Sequence, residues 1–308
     1  MPEYHLDKAV DKNRKCPYCD HQADLKIQAK DINRNISTET FVLYECQDCG
    51  LMFVGNPPDN LALYYSSDYH FRPQVETDLL PFLAQQKYKI EIIQKFKTQG
   101  KFLEIGPSSG FLCKLAKDAS FDVHAIEIDT ECVNFLNKAL KIKAIESGDP
   151  ASVLLNYKET FDVICLWHAI EHLEKPWDVL SAAVERLNPG GILLVAAPNQ
   201  LSWQARLLGA RWPHYDLPRH LFEISPVWLR KFAVQLGISE VFFTTNDQGS
   251  KSYTYFSWRQ SFEHLTNIVA LKPFLRRIGT LFGRTIRIWE MREGNGAGYI
   301  MVLKRSNP

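Results

Sequence analysis

The chain reads as an α/β protein, a doubly wound parallel sheet preceded by a small cysteine module and interrupted by a helical insertion before its last strand. Short apolar runs and helical spacing alternate from residue 100 to residue 200, the rhythm of successive strand–helix units. Residues 163–167 form a continuous apolar run, as a strand buried on both faces requires. Residues 101–110, KFLEIGPSSG, end an apolar run in Glu104, bracket a tight turn between Gly106 and Gly110, and lead into helical spacing at Phe111. A strand feeding such a turn at a helix N-terminus is where α/β folds hold anionic or nucleoside ligands.

Composition sets the outer limits. The 308 residues have room for one large domain and a small one, and 45% hydrophobic content suffices for a core. A formal net charge of +1 argues against a global electrostatic footprint for nucleic acid. There is no signal-peptide-like apolar run and no apolar stretch of about 18 residues, so a soluble, cytoplasmic chain is expected. Of seven cysteines, Cys113, Cys132 and Cys165 lie in apolar periodic segments and are expected to be reduced and buried.

The first module spans residues 1–55. Cys16-Pro-Tyr-Cys19 and Cys46-Gln-Asp-Cys49 are two C-x2-C knuckles with 26 residues between them. Each knuckle can present two thiolates to a tetrahedral ion, and together they complete four ligands. Residues 24–30 and 40–45 read as a hairpin around a polar turn at 33–35, which makes the module a zinc ribbon. Four Cys leave no open position, so Zn2+ is expected to be structural. Asp20, Asp24, Asp31, Glu39, Glu45 and Asp48 would repel phosphate, so the module reads as scaffold and no nucleic-acid partner is expected.

Residues 56–99 read as a connector and helical cap. Tyr64, Tyr65, Tyr69 and His70 cluster there, either packing an interface or closing over a ligand. Residues 75–98 carry an amphipathic helical pattern, with Gly100 as its C-cap.

The domain from 100 to 308 begins at the glycine turn. Position 108 is Ser and position 111 is Phe, where a dinucleotide fingerprint wants glycine, and no Lys-Ser/Thr pair marks a P-loop. A second strand ends at Glu127, about 20 residues past the turn, where a carboxylate can accept both hydroxyls of a ribose. Asp129 is the rival acid but reads better as a helix cap. Asp149-Pro150 follows the third strand, and Asp149 reads equally as an N-cap or as acceptor for an adenine amine. The fourth strand exits through Trp167, His168, Glu171 and His172, which serve either to brace loops or to meet a ligand at the sheet's C-terminal edge. A helix over 176–187 and a fifth strand ending at Pro198-Asn199 follow. Residues 238–246 give a sixth strand, and residues 296–305 a last strand antiparallel to it.

The ordered series FLEIGPSSG, AIEID, SGD, FDVICLWHAIEHL and LNPGGILLVAAPN resembles the class I S-adenosylmethionine (SAM) methyltransferases. It is most similar to their ubiquinone-methyltransferase-like branch, with an E-H pair at the exit of the fourth strand. The ribbon and the later run DLPRHLFEISP resemble a bacterial subgroup that methylates sugars, surface polysaccharides and secondary metabolites. The resemblance implies a Rossmann-like seven-stranded sheet and SAM as cofactor. It places Glu104, Gly106, Pro107, Ser108 and Gly110 at the methionine end and Glu127 at the ribose. Asp149 falls at the adenine amine, Leu166, Trp167 and His168 beneath the sulfonium, and Ile128 also among the cofactor-binding residues. Ser108 departs from the family turn, which has its middle glycine there.

Residues 199–220, which include Trp203, Arg206, Arg211, Trp212, His214, Tyr215, Asp216, Arg219 and His220, read as a substrate-pocket wall. An oxygen nucleophile would need its proton removed near neutral pH, and His220, His172 and His168 are the candidates, in that order. The insertion at 251–293 holds eight Lys or Arg against three Glu, with apolar residues at helical spacing. Its segment 268–289 can lie on an anionic membrane surface, or the insertion can form a lid over the cleft. The lid is favoured because two glycines and Pro273 interrupt the helix. The expected reaction is methyl transfer to an oxygen of a small molecule: a sugar, nucleotide sugar or metabolite. Two alternatives remain: an RNA methyltransferase docked through its ribbon, and a SAM-binding or ribbon interaction protein that transfers nothing.

Overall fold

The computed structural model describes residues 11, 13–65, 69, 71–266 and 268–307; His70 of the aromatic cluster lies outside them. The strands are β1 (Ala23–Lys30), β2 (Thr40–Cys46), β3 (Met52–Val54), β4 (Gly100–Ile105), β5 (Phe121–Glu127) and β6 (Lys143–Glu146). They continue as β7 (Phe161–Trp167), β8 (Leu187–Pro198), β9 (Phe222–Glu223), β10 (Ile238–Thr244) and β11 (Gly298–Arg305). The helices are α1 (Leu80–Gln94), α2 (Phe111–Asp118), α3 (Thr130–Lys138), α4 (Pro150–Asn156) and α5 (Pro176–Glu185). After them come α6 (Trp203–Leu208), α7 (Pro226–Gln235), α8 (Gln248–Glu263) and α9 (Lys272–Glu290).

The large sheet has seven strands in the order β10-β11-β8-β7-β4-β5-β6, with only β11 antiparallel to its neighbours. It is the doubly wound sheet expected from the strand–helix rhythm. One face packs on α1, α2 and α3 through Ile90, Ile93, Leu112 and Phe135. The other packs on α4, α5 and α7 through Leu154, Val179 and Leu229. Strand β4 lies between β5 and β7, so the chain's winding reverses beside it. The crevice at its C-terminal end is where such sheets bind ligands, and the Glu104–Gly110 turn sits there.

Two expectations need correction. Gly100 does not cap α1, which ends at Gln94 with Lys95 as C-cap. It opens β4 at φ +117°, where a Cβ would collide with the Asp162 carboxylate, so close packing explains this glycine. The glycines of the insertion do not interrupt α9 either. Gly279 faces the Trp258 carbonyl of α8 at 2.5 Å from where its Cβ would lie, and Gly283 faces the Trp258 ring at 3.2 Å. They let two helices pack closely, and Pro273 stands in the first turn, where the missing N–H costs nothing.

The cysteine module does not stand apart. Its sheet runs β1-β2-β3-β9, and β9 belongs to the domain that follows, at Phe222–Glu223. Beside that strand pairing lies Arg219, wholly buried. Its guanidinium donates to Asp31 Oδ1 at 2.7 Å, to Asp216 Oδ1 at 2.7 Å and to the Tyr64 carbonyl at 3.2 Å. Asp31 also accepts from the backbone of Arg34 and Ile36, so it holds its own turn while it holds Arg219. Asp31→Ala leaves a buried guanidinium short of its partner and should lower stability by roughly 3–5 kcal/mol, read by urea unfolding. A loss under about 1 kcal/mol would mean the pair is not a structural clasp.

Candidate functional site

The turn after β4 is held from both sides. Gly106 has φ +71°, and a Cβ there would lie 2.8 Å from that of Ala169. Pro107 is buried and its carbonyl accepts from Gly110 N at 2.9 Å. Ser108 adopts φ +48°, a left-handed conformation that favours glycine, so the departure at this position is a backbone cost. In that conformation Ser108 N–H donates to Glu127 Oε2 at 2.8 Å. Glu127 Oε1 accepts from Ile128 N at 2.8 Å and Asp129 N at 3.0 Å. The carboxylate is thereby fixed at the end of β5, with Oε1 filled by its two backbone donors and one acceptor site left on Oε2.

Asp129 is spent elsewhere: it caps α3 through Cys132 N at 2.9 Å and pairs with Arg72 at 2.9 Å. Asp149 caps α4 through Ser152 N at 3.1 Å, which realises the capping reading of that residue. Ile128, between them, is an apolar side chain left 70% exposed beside Gly148. Leu166 turns its side chain into the core, so it can line a ligand only with backbone. Trp167 points to the opposite face, where its ring meets Tyr88 at 5.8 Å.

Glu104 is buried at 3% exposure, with the Cys113 thiol donating to it at 3.1 Å. Burial pushes its carboxyl up to about 7, against the opposing pull of Cys113 and the Lys89 charge. A buried carboxylate this short of strong donors is suited to an ammonium ligand, and the methionine end of SAM carries one. Lys89 escaped the sequence reading. It lies on α1 with its ammonium 4.9 Å over the Trp167 ring, and burial lowers its pKa while Glu104 opposes that shift. Its signal was present: it precedes Ile92 and Ile93 by three and four residues, which puts it on the buried stripe.

Three histidines converge at the exit of β7. His168 has φ +53°, and its Nδ1 lies 3.5 Å from Glu171 Oε1. His172 and His220 meet edge to face at 4.7 Å. His172 Nδ1 lies 3.0 Å from the Arg219 carbonyl and His220 Nδ1 lies 2.9 Å from the His214 carbonyl. A carbonyl accepts only, so each ring donates from Nδ1. Burial, then the neighbouring His172, lowers His220 to about 4. Burial works to raise Glu171, yet His168, with its Nδ1 3.5 Å away, and the charges of His220, His168 and His172 wherever those rings are protonated hold it well below the usual carboxylate range. Tyr253 of α8 stacks on His214 at 4.3 Å and approaches His168 at 4.7 Å, so the insertion supplies an aromatic wall. Tyr65 and Tyr69 close another side at 4.8 Å from each other. Glu171, His172 and His220 offer ligand atoms within 4.8 Å of one another, a set that could also hold a cation.

In the ribbon, Cys16 Sγ and Cys49 Sγ are 3.7 Å apart and Cys19 Sγ and Cys46 Sγ 3.4 Å. All four cysteines are free thiols, with ligand atoms within 4.8 Å of one another. Thiolates at about 2.3 Å from a tetrahedral zinc lie about 3.8 Å apart, so the donor set fits that ion.

The seven-stranded sheet and the crevice beside β4 define a class I SAM-dependent methyltransferase fold. A family model described as a methyltransferase domain matches residues 70–237, and the chain belongs to that family. It is 26% identical over 137 residues to the mitochondrial ubiquinone biosynthesis O-methyltransferase of Schizosaccharomyces pombe, covering 43% of this chain and 48% of that one. To the ubiquinone biosynthesis O-methyltransferase of Chelativorans sp. it is 24% identical over 186 residues, covering 56% and 72%. The match spans about half the length of the fission-yeast relative. A SAM-dependent methyltransferase from Archaeoglobus fulgidus shares the fold at TM-score 0.51 and 18% identity, over 72% of this chain and 94% of that one.

Glu104 sets an opposition between stability and binding. Its folded carboxyl titrates near 7 against 4.5 unfolded, so native stability falls as pH rises between these values and stays lower above them. Glu104→Gln should therefore raise stability at pH 8, by at most ~3 kcal/mol, while weakening SAM binding at least tenfold. Thermal unfolding and calorimetric titration at pH 8 check both, and a variant that keeps its SAM affinity would remove Glu104 from the site.

Proposed function

We propose that this chain transfers the methyl group of SAM to an oxygen of a small-molecule acceptor, a sugar or other metabolite. The observation that carries the reading is the convergence of His168, His172 and His220 on buried Glu171, one loop from the Glu104 turn. When bound, SAM supplies an electrophilic methyl on a sulfonium. Glu104, Lys89 and the backbone from Gly106 to Gly110 would hold its amino-acid end. Glu127 would hold the ribose, Ile128 and Asp149 would border the adenine, and Trp167 would form the floor.

In-line displacement asks the protein chiefly for alignment and exclusion of water. Tyr65, Tyr69 and Tyr253 would supply apolar walls with polar tips, apt for a ring that carries hydroxyls. His220 is the assigned base: its tautomer is fixed by the His214 carbonyl, and its low pKa keeps it neutral at physiological pH. On taking the acceptor's proton, the imidazolium would face Glu171 and Asp216, the latter 4.0 Å from His220 Nε2. His172 would orient the acceptor, and His168 would hold Glu171. Oxygen as the nucleophile is supported by this base and by the relatives named as O-methyltransferases. The acidic ribbon disfavours an RNA acceptor.

Labelled SAM offered with a panel of nucleotide sugars and phenolic metabolites tests the reading by methyl gain in an acceptor. His220→Ala and Glu171→Gln should each lower kcat by roughly 10²–10⁴ with SAM affinity unchanged. Full turnover in both variants would remove the base assignment. For the ribbon, we propose one structural Zn2+ per chain on Cys16, Cys19, Cys46 and Cys49. Chelation should lower the unfolding temperature and, through the β3–β9 pairing beside His220, lower kcat as well. Retention of both after metal removal would contradict the scaffold role.

A further inference from the structure

Helix α9 has two apolar faces, and the hairpin with α8 uses only one. Phe282, Gly279 and Gly283 pack on α8, with the Phe282 ring 4.8 Å from that of Trp258 and 5.4 Å from that of Phe262. On the opposite side stand Phe274, Leu281 and Ile288, exposed at 62%, 59% and 75%. Seven residues are nearly two turns, so the three line up as one stripe about 20 Å long. Trp289, 55% exposed, flanks it with Arg292 4.4 Å over its ring.

Charge tells what could cover this stripe. All three acids of the insertion are engaged elsewhere: Glu263 pairs with Arg276 at 2.7 Å, Glu290 accepts from Trp258 Nε1 at 2.8 Å, and Glu293 accepts from Thr245 N at 2.8 Å. Arg277 and Arg284 are exposed beside the stripe, seven residues apart. A second copy laid antiparallel on it would set arginine against arginine. An anionic surface satisfies both cations and the apolar residues together. None of the described helices is long and apolar enough to cross a membrane.

We propose that the outer face of α9 docks this protein on an anionic lipid bilayer, with Phe274, Leu281 and Ile288 entering the interface and Arg277 and Arg284 meeting lipid phosphates. The surface does not depend on which atom is methylated. The hairpin joins it to the site, since α8 turns Tyr253 toward His168 and carries α9 on its other side.

Co-sedimentation of the full chain with vesicles tests this, without SAM or acceptor. Binding is expected to phosphatidylglycerol–phosphatidylcholine vesicles and to be weak with phosphatidylcholine alone. The double variant Leu281→Asp, Ile288→Asp should partition at least tenfold less, and Arg277→Glu with Arg284→Glu roughly tenfold less. Unchanged SAM affinity in these variants would show that the fold is intact. No binding to either vesicle, or equal binding by wild type and the aspartate variant, overturns the proposal. So does a concentration-dependent dimer, lost in the aspartate variant, without vesicle binding: that result assigns the stripe to a second copy.

Discussion

One buried guanidinium joins the two halves of this molecule. Arg219 cannot reach water and cannot be neutralised, so its position must be compensated by carboxylates. One comes from its own loop, Asp216, and the other from the ribbon, Asp31. The neighbouring His220 inherits that rigidity: it is held between the His214 carbonyl and the fourth strand of the ribbon sheet. The ribbon thereby acts on the histidine cluster through geometry, without placing its thiolates near the cleft. It also covers an edge: β9 is two residues long and could not persist alone, yet it gains a partner in β3.

The two buried acids at the sheet edge are kept in opposite states. Glu104 has a thiol and a distant ammonium and is held near the boundary of ionisation. Glu171 is equally buried, but the histidines around it hold its carboxyl well below the usual range. The first environment waits for a cation. The second supplies a fixed negative charge against which an imidazolium can form. Desolvation is common to both, and the identity of the neighbours decides the outcome.

How far these features could be read from sequence depends on the range of the forces that make them. The strand–helix alternation, the Glu104 turn and the C-x2-C knuckles are local patterns, and the sheet, the turn and the clustered sulfurs follow from them. Glu127 could be separated from Asp129 because a cap has a local signature. Asp149 kept two readings because capping and ligand contact use the same atoms. Long-range partners were out of reach: Lys89 over Trp167, Arg219 between two aspartates, and the pairing of β3 with β9 join residues tens to hundreds of positions apart. Gly100 and Gly279 show the same limit. Their local context suggested a cap and a break, but each is fixed by a contact with a distant segment.

The insertion couples the cleft to the outer surface of the molecule. Helix α8 meets the cleft with Tyr253, and α9 can lie against α8 only because Gly279 and Gly283 remove the side chains that would hold it away. Close approach fixes the rotation of α9, since its small residues must face inward. Once that rotation is set, the seven-residue spacing of Phe274, Leu281 and Ile288 leaves them facing outward. The exposed stripe is therefore a geometric consequence of the glycine contact, and cannot be turned inward without separating the hairpin. A helix built this way commits one face to the enzyme and leaves the other for a surface outside it.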